Sequence, residues 1–165
     1  MPIISTDIKY RLSGGASNSD PLLSIGGIAS TTTDAPAGIF DDVTSGEAAS
    51  GDTEYRCVYI KNTHGTLTAL GTKIWIQTQT PSADTSVEIA LGSSAVNGTE
   101  TAVANENTAP SGPTFSSAAN EGAALTIGDL APGAHKAIWI KRIVGAAAAA
   151  ANDSFTLRVK CDTNP

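Results

Sequence analysis

The sequence is poor in the residues that do chemistry. Its 165 positions hold two cysteines, two histidines and one methionine. Cys57 and Cys161 are too few for a disulfide framework and lack metal-ligand spacing. Both fall in predicted strands, which leaves two readings open: free buried thiols, or one staple between the first and last core strands. His64 falls in a turn and His135 at a strand start, with no second histidine at helical spacing, so neither reads as a metal ligand. No G-x-S-x-G, P-loop, H-E-x-x-H or C-x-x-C pattern occurs. Aromatic residues make up only 5% of the chain and lie mostly in strands, which argues against a sugar cleft walled by stacking rings. Charged residues are only 16% and the net charge is −6, the opposite of the basic balance of a nucleic-acid binder. No apolar run approaches the ~20 residues of a membrane span. The start, "MPIISTDIKYRLSGG", lacks the charged-then-apolar layout of a signal peptide, which implies synthesis and initial residence in a cytoplasm.

Acids do cluster in "FDDVTSGEAASGDTE", at Asp41, Asp42, Glu47, Asp52 and Glu54. Loop carboxylates can hold Ca²⁺, but no EF-hand spacing is present. The expectation is therefore a non-enzymatic protein with no catalytic residues, no cofactor and no bound metal.

What is present points to β-structure. "YRCVYIKN", "GTKIWIQTQT", "TSVEIALG", "AALTIGDL", "HKAIWIKRIV" and "DSFTLRVKCD" are short, β-branched or aromatic, and bounded by turn residues; "GTETAVAN" is a weaker candidate. The last strand alternates, with Phe155, Leu157, Val159 and Cys161 on one side and Thr156, Arg158 and Lys160 on the other. No helical period runs long enough to compete. The fold class is all-β: an antiparallel β-sandwich, immunoglobulin-like or jelly-roll, on residues 51–165. Residues 1–50 look different. After one possible strand in "TDIKYRLSG", a Gly-, Ser-, Thr- and Pro-rich stretch carries apolar islands without strand periodicity. A solvated linker would not carry them. They suggest an extended N-terminal arm whose islands, Ile3, Ile4, Leu22, Leu23, Ile25, Ile39 and Phe40, plug into grooves on the chain itself or on a neighbour.

Two further patterns bear on contacts. "KIWIQ" and "AIWIK" both set a tryptophan between isoleucines, so Trp75 and Trp139 point to one face and Ile74, Ile76, Ile138 and Ile140 to the other. The Ala-Pro-Gly turn before the second favours Trp139 inside. Either orientation leaves an apolar stripe on an outer face, to be covered by the arm or by a partner subunit. All ten basic residues lie at positions 9–73 or 136–160, whereas 74–135 carries only acids; this reads as ordinary solubility or as complementary docking surfaces. Finally, "IVGAAAAAANDS" places Ala146, Ala147, Ala148, Ala149, Ala150 and Ala151 where a polar turn is expected. Methyl side chains lose almost no entropy on burial and allow close approach, so this run is expected to lie against another chain or against the arm.

The stretches "DIKYRLSGGASNSDP", "IFDDVTSGEAASGDTEYRCVYIKN", "LAPGAHKAIWIKR" and "DSFTLRVKCD" resemble small virion structural proteins of tailed bacteriophages, of the head decoration (cement) type. The resemblance runs over most of the chain and is one of overall pattern, without a motif whose residues could be carried over. It implies a protein assembled in the host cytoplasm and located on the virion. Its partners would be the major capsid protein and copies of itself, as a homo-oligomer on the particle. The alternative is a tail, neck or fibre-associated module that contacts the host surface.

Overall fold

The computed structural model describes residues 2–148 and 153–163. Seven strands form two antiparallel sheets. They are β1 (Ile8–Leu12), β2 (Asp52–Asn62), β3 (Ala69–Thr78), β4 (Thr85–Leu91), β5 (Leu125–Leu130), β6 (His135–Val144) and β7 (Thr156–Thr163). One sheet runs β1-β2-β6-β4 and the other β5-β3-β7. An immunoglobulin constant domain also divides seven strands four and three, but in the order 1-2-5-4 and 3-6-7. Here β6 occupies the place beside β2, and β3 is the centre of the smaller sheet.

The six expected strands all form. The weaker candidate "GTETAVAN" does not; its one sheet-like contact is an isolated bridge from Glu100 to Gly27. One helix was not foreseen, α1 (Ser45–Ser50). Its signal is present in the sequence as a capping box. Thr44 Oγ1 accepts from the Glu47 N–H, and the Glu47 carboxylate accepts from the Thr44 N–H.

The main core lies between the sheets. Val58 and Ile60 of β2, Ile138 and Ile140 of β6, Val87 and Ile89 of β4 meet Ile74 and Ile76 of β3, Ile127 and Leu130 of β5. Leu157, Val159 and Cys161 of β7 pack against them, as the alternation of that strand requires. Trp139 therefore faces away from the second sheet, not into the sandwich as the preceding turn suggested. It is nonetheless fully buried, in a second cluster with Ala29, Tyr55, Cys57, Tyr59, Ala90 and Ala137. Trp75 stands on the opposite face of β3 from Ile74 and Ile76, yet it too is buried and belongs to the main cluster. It pairs across the strand with Arg158, whose guanidinium carbon lies 6.0 Å from the ring centroid.

The four-stranded sheet is thus buried on both faces, and the chain itself supplies the second cover. Residues 1–50 are woven into the sandwich: β1 is its edge strand, and the segment that follows returns over the outer face. Where β1 ends at Leu12, opposite Val58, other segments continue along the exposed edge of β2. The Cys57 N–H donates to Ser24 O at 2.6 Å and the Tyr55 N–H to Glu106 O at 2.7 Å. Ser116 exchanges backbone hydrogen bonds with Ile89 on the edge of β4, and Ala118 accepts from the Ile76 N–H of β3. Edge strands invite pairing with other chains; here loop backbone occupies part of those edges.

Candidate functional site

Three features could carry function: a polar knot under the outer cover, a charged cluster at the end of the N-terminal segment, and an exposed apolar patch.

The knot joins the cover to the sheet. Glu100 is buried, and its carboxylate accepts from the Trp139 indole at 3.2 Å, the Ser93 N–H at 3.0 Å and the Ser94 N–H at 2.8 Å. The Tyr59 hydroxyl donates to Gly27 O at 2.6 Å and accepts from the Glu100 N–H at 2.9 Å. The Gly27 N–H donates in turn to Glu100 O at 2.8 Å. Burial pushes the Glu100 carboxyl up, but hydrogen bonds from Ser94, Trp139 and Ser93 outweigh it and hold the group below its ordinary value. The Glu100 carboxylate, the Trp139 indole and the Tyr59 hydroxyl all have partners, although the Ser94 hydroxyl beside them has none among the described residues, so the knot is a structural clasp. Next to it His135 stacks edge-on against Tyr59, ring centroids 5.1 Å apart, and burial, then Lys61, lowers its pKa. His64 Nδ1 accepts from the N–H groups of Thr66 and Leu67, closing the turn after β2. Neither histidine is a member of a metal-ligand grouping among the described residues.

The charged cluster surrounds Phe40. Arg56 is fully buried; it pairs with Glu106 and Asp41 and donates through Nε to Ile39 O at 3.3 Å. Arg142 pairs with Glu54 and Asp41. The two guanidinium carbons lie 5.4 and 4.8 Å from the Phe40 centroid, and Phe155 meets the same ring edge-on. One carboxylate oxygen from each of Asp41, Glu54 and Glu106 lies within 4.8 Å of the others, and the same holds for Glu47, Asp52 and Glu54. Of the loop acids, Asp41, Glu47 and Asp52 are thus gathered around Glu54, where Glu106 joins them. No spacing rule in the sequence anticipates that, because Glu106 comes from a distant loop.

The patch lies on the N-terminal segment. Leu22 is 44% exposed, Leu23 58% and Ile28 54%. Leu23, half-buried Ile25 and Ile28 rim a shallow depression floored by Gly14, Gly15, Gly26 and Gly27. The backbone under it is braced. The Asn18 amide donates to Ser13 O and Asp20 O, the Gly26 N–H donates to Ser13 Oγ, and Asp20 caps the 3₁₀ turn Pro21–Leu23. Gly26 has φ +102°, and a Cβ there would stand 2.5 Å from Thr101 O, so only glycine allows this approach.

The remaining contact candidates divide. Ile4 is exposed, and Ile3 is half-buried against the main core. Ile39 is buried in that core and Phe40 sits between the two arginines, so both serve the chain's own packing. Of the alanines, Ala146 and Ala147 are exposed and Ala148 is half-buried. The N–H groups of Ala147 and Ala148 donate to Ala49 O and Ala48 O of α1, which docks this end of the run on the N-terminal segment. Ala149, Ala150 and Ala151 lie outside the described residues.

The charge pattern is largely internal. From the acidic stretch, Glu88 pairs with Lys141, Glu106 with Arg56 and Glu121 with Lys160, and Glu100 is buried in the knot. Cys57 and Cys161 are both free, on different sheets and in different clusters, which removes the staple. Burial raises both thiols. No family model, curated protein or solved structure matches the chain.

Proposed function

We propose that the chain is a non-enzymatic structural protein of a tailed-bacteriophage virion, which binds the outside of the capsid and stabilises it by bridging neighbouring subunits. The observation that carries this reading is the braced patch of Leu22, Leu23 and Ile28. Exposed apolar side chains on a segment already held by its own hydrogen bonds form a pre-ordered docking surface, and binding through them does not have to order a loop first. The sequence resemblance to head decoration proteins supplies the partner: the major capsid protein, with further copies of this chain beside it on the particle. Repetition over a capsid turns modest single contacts, each of a standard size near ~1,600 Å², into a large combined stabilisation.

The other virion role, a tail, neck or fibre-associated module that contacts the host surface, for instance its glycans, draws less support. Glycan sites favour exposed aromatics, and here Phe40 lies between two arginines while Phe115 packs edge-on to Tyr55, 5.5 Å between centroids.

The test is sedimentation of Leu22→Glu/Leu23→Glu with expanded cognate heads. Binding is expected to fall at least ~10-fold, about 1.4 kcal/mol, while the melting temperature stays within about 2 °C of wild type, as for other surface changes. Undiminished binding by a folded double variant overturns the assignment of the patch.

A further inference from the structure

The geometry points to a calcium-binding site where the N-terminal segment meets β2, built from the carboxylates of Glu47, Asp52 and Glu54. One oxygen of each lies within 4.8 Å of the others. At the usual Ca–O distance of ~2.4 Å, two oxygens on opposite sides of one ion stand about 4.8 Å apart. Three atoms so grouped can share one coordination sphere.

Proximity of acids alone would not identify an ion site; the second observation is the state of Glu54. This residue is 1% exposed, Arg142 holds its Oε2, and its Oε1 takes no hydrogen bond from any described residue. A buried carboxylate oxygen without a donor is costly, and a cation is the partner that removes the cost. The other two carboxylates are each steadied by one oxygen. Glu47 Oε2 accepts from the Thr44 N–H at 2.7 Å, and Asp52 Oδ1 accepts from the Asn107 amide at 2.8 Å. Asp52 and Glu54 stand two apart on β2 and so share a face of the strand.

Charge selects this set over its neighbour. Asp41 and Glu106 are also close to Glu54, but Arg56 and Arg142 already serve them. No basic side chain pairs with Glu47 or Asp52 among the described residues. An all-oxygen donor set suits Ca²⁺ or Mg²⁺ rather than a transition metal. Mg²⁺ retains most of its water and is usually held by one or two carboxylates, so a set of three protein carboxylates favours Ca²⁺. The bound ion would fasten α1 to β2, and this does not depend on the capsid reading.

Calorimetric titration of the full chain with CaCl₂, after chelator treatment, tests the site. Binding is expected at ~1 mM or tighter, within the range of calcium modules outside the cytosol. Saturation at about ten times that dissociation constant should raise the melting temperature by about 4 °C. Glu47→Gln and Asp52→Asn, both at half-buried rim positions, should each weaken binding at least ~10-fold, and Glu121→Gln should leave it unchanged. Glu54→Gln is a further variant, read only if circular dichroism shows the native fold. No heat and no thermal shift up to about 10 mM Ca²⁺ overturns the inference. So does binding that survives Glu47→Gln and Asp52→Asn unchanged.

Discussion

The indole N–H of Trp139 donates to Glu100 Oε1 at 3.2 Å, joining the centre of β6 to a loop that no strand contains. The same carboxylate also takes the Ser93 and Ser94 N–H groups. Glu100→Gln keeps the shape but puts an NH₂ donor where the site offers only donors. Hydrogen bonds to charged groups contribute about 1.5–3 kcal/mol each, so urea unfolding at neutral pH should show a loss of about 3 kcal/mol. A loss below about 0.5 kcal/mol would mean the clasp contributes nothing.

The same group predicts an acid limit. Its carboxyl is held below the ordinary value in the folded chain, with the hydrogen bonds outweighing burial. A depressed folded pKa gives stability that is fully present above the unfolded value, about 4.3 for glutamate. That stability is lost as pH falls through the folded value. Unfolding midpoints from about pH 6 to pH 3 should therefore fall more steeply in wild type than in Glu100→Gln. Parallel curves would assign the acid sensitivity to other carboxylates.

Arg56 and Lys160 both pair with a glutamate, and the two pairs should behave differently. Arg56 is fully buried, and its removal leaves Glu106 without its cation beside Phe40 and Asp41 with Arg142 alone. Arg56→Ala should cost about 3–5 kcal/mol, as for broken buried pairs. Lys160 and Glu121 are exposed to solvent, and Lys160→Ala should leave the urea midpoint unchanged. Equal effects would contradict the burial difference.

Removing residues 1–40 should abolish the native fold. The deletion takes away β1, the buried Leu12 and Ile39, and the cover over Trp139 and Cys57. Total stability is typically about 5–15 kcal/mol, and losing an edge strand with one wall of a core exceeds what such a margin tolerates. Circular dichroism and thiol labelling of Cys57 provide the readout: a cooperative transition with Cys57 still protected would show that residues 41–165 fold alone.

The strands were legible because β-branched and aromatic runs end in turn residues, and β7 shows its inner and outer faces residue by residue. The four-stranded sheet hid its second buried face. Tyr55, Cys57 and Tyr59 on β2 are as apolar as Val58 and Ile60, so the strand carries no alternation by which to tell core from cover. The Ile-Trp-Ile echo has the same ambiguity, and only the cover over Trp139 resolves it. The clasp and the charged cluster were not legible, because Glu100 and Glu106 come from a loop with weak local signals, and their partners are fixed by tertiary contacts. The capping box at Thr44 and Glu47 was readable, since both of its residues lie within one turn.

The pairing of Cys57 with Trp139 also dictates a schedule of synthesis. Residues 13–30 leave the ribosome before β6, yet the surface they cover is incomplete until β6 has been made. Their docking must follow the pairing of β2 with β6, a contact between remote parts of the chain that forms slowly for topological reasons. The nascent protein therefore emerges with its N-terminal segment waiting. The cover closes only after β6 has left the ribosome, which makes it one of the later parts of this fold to form.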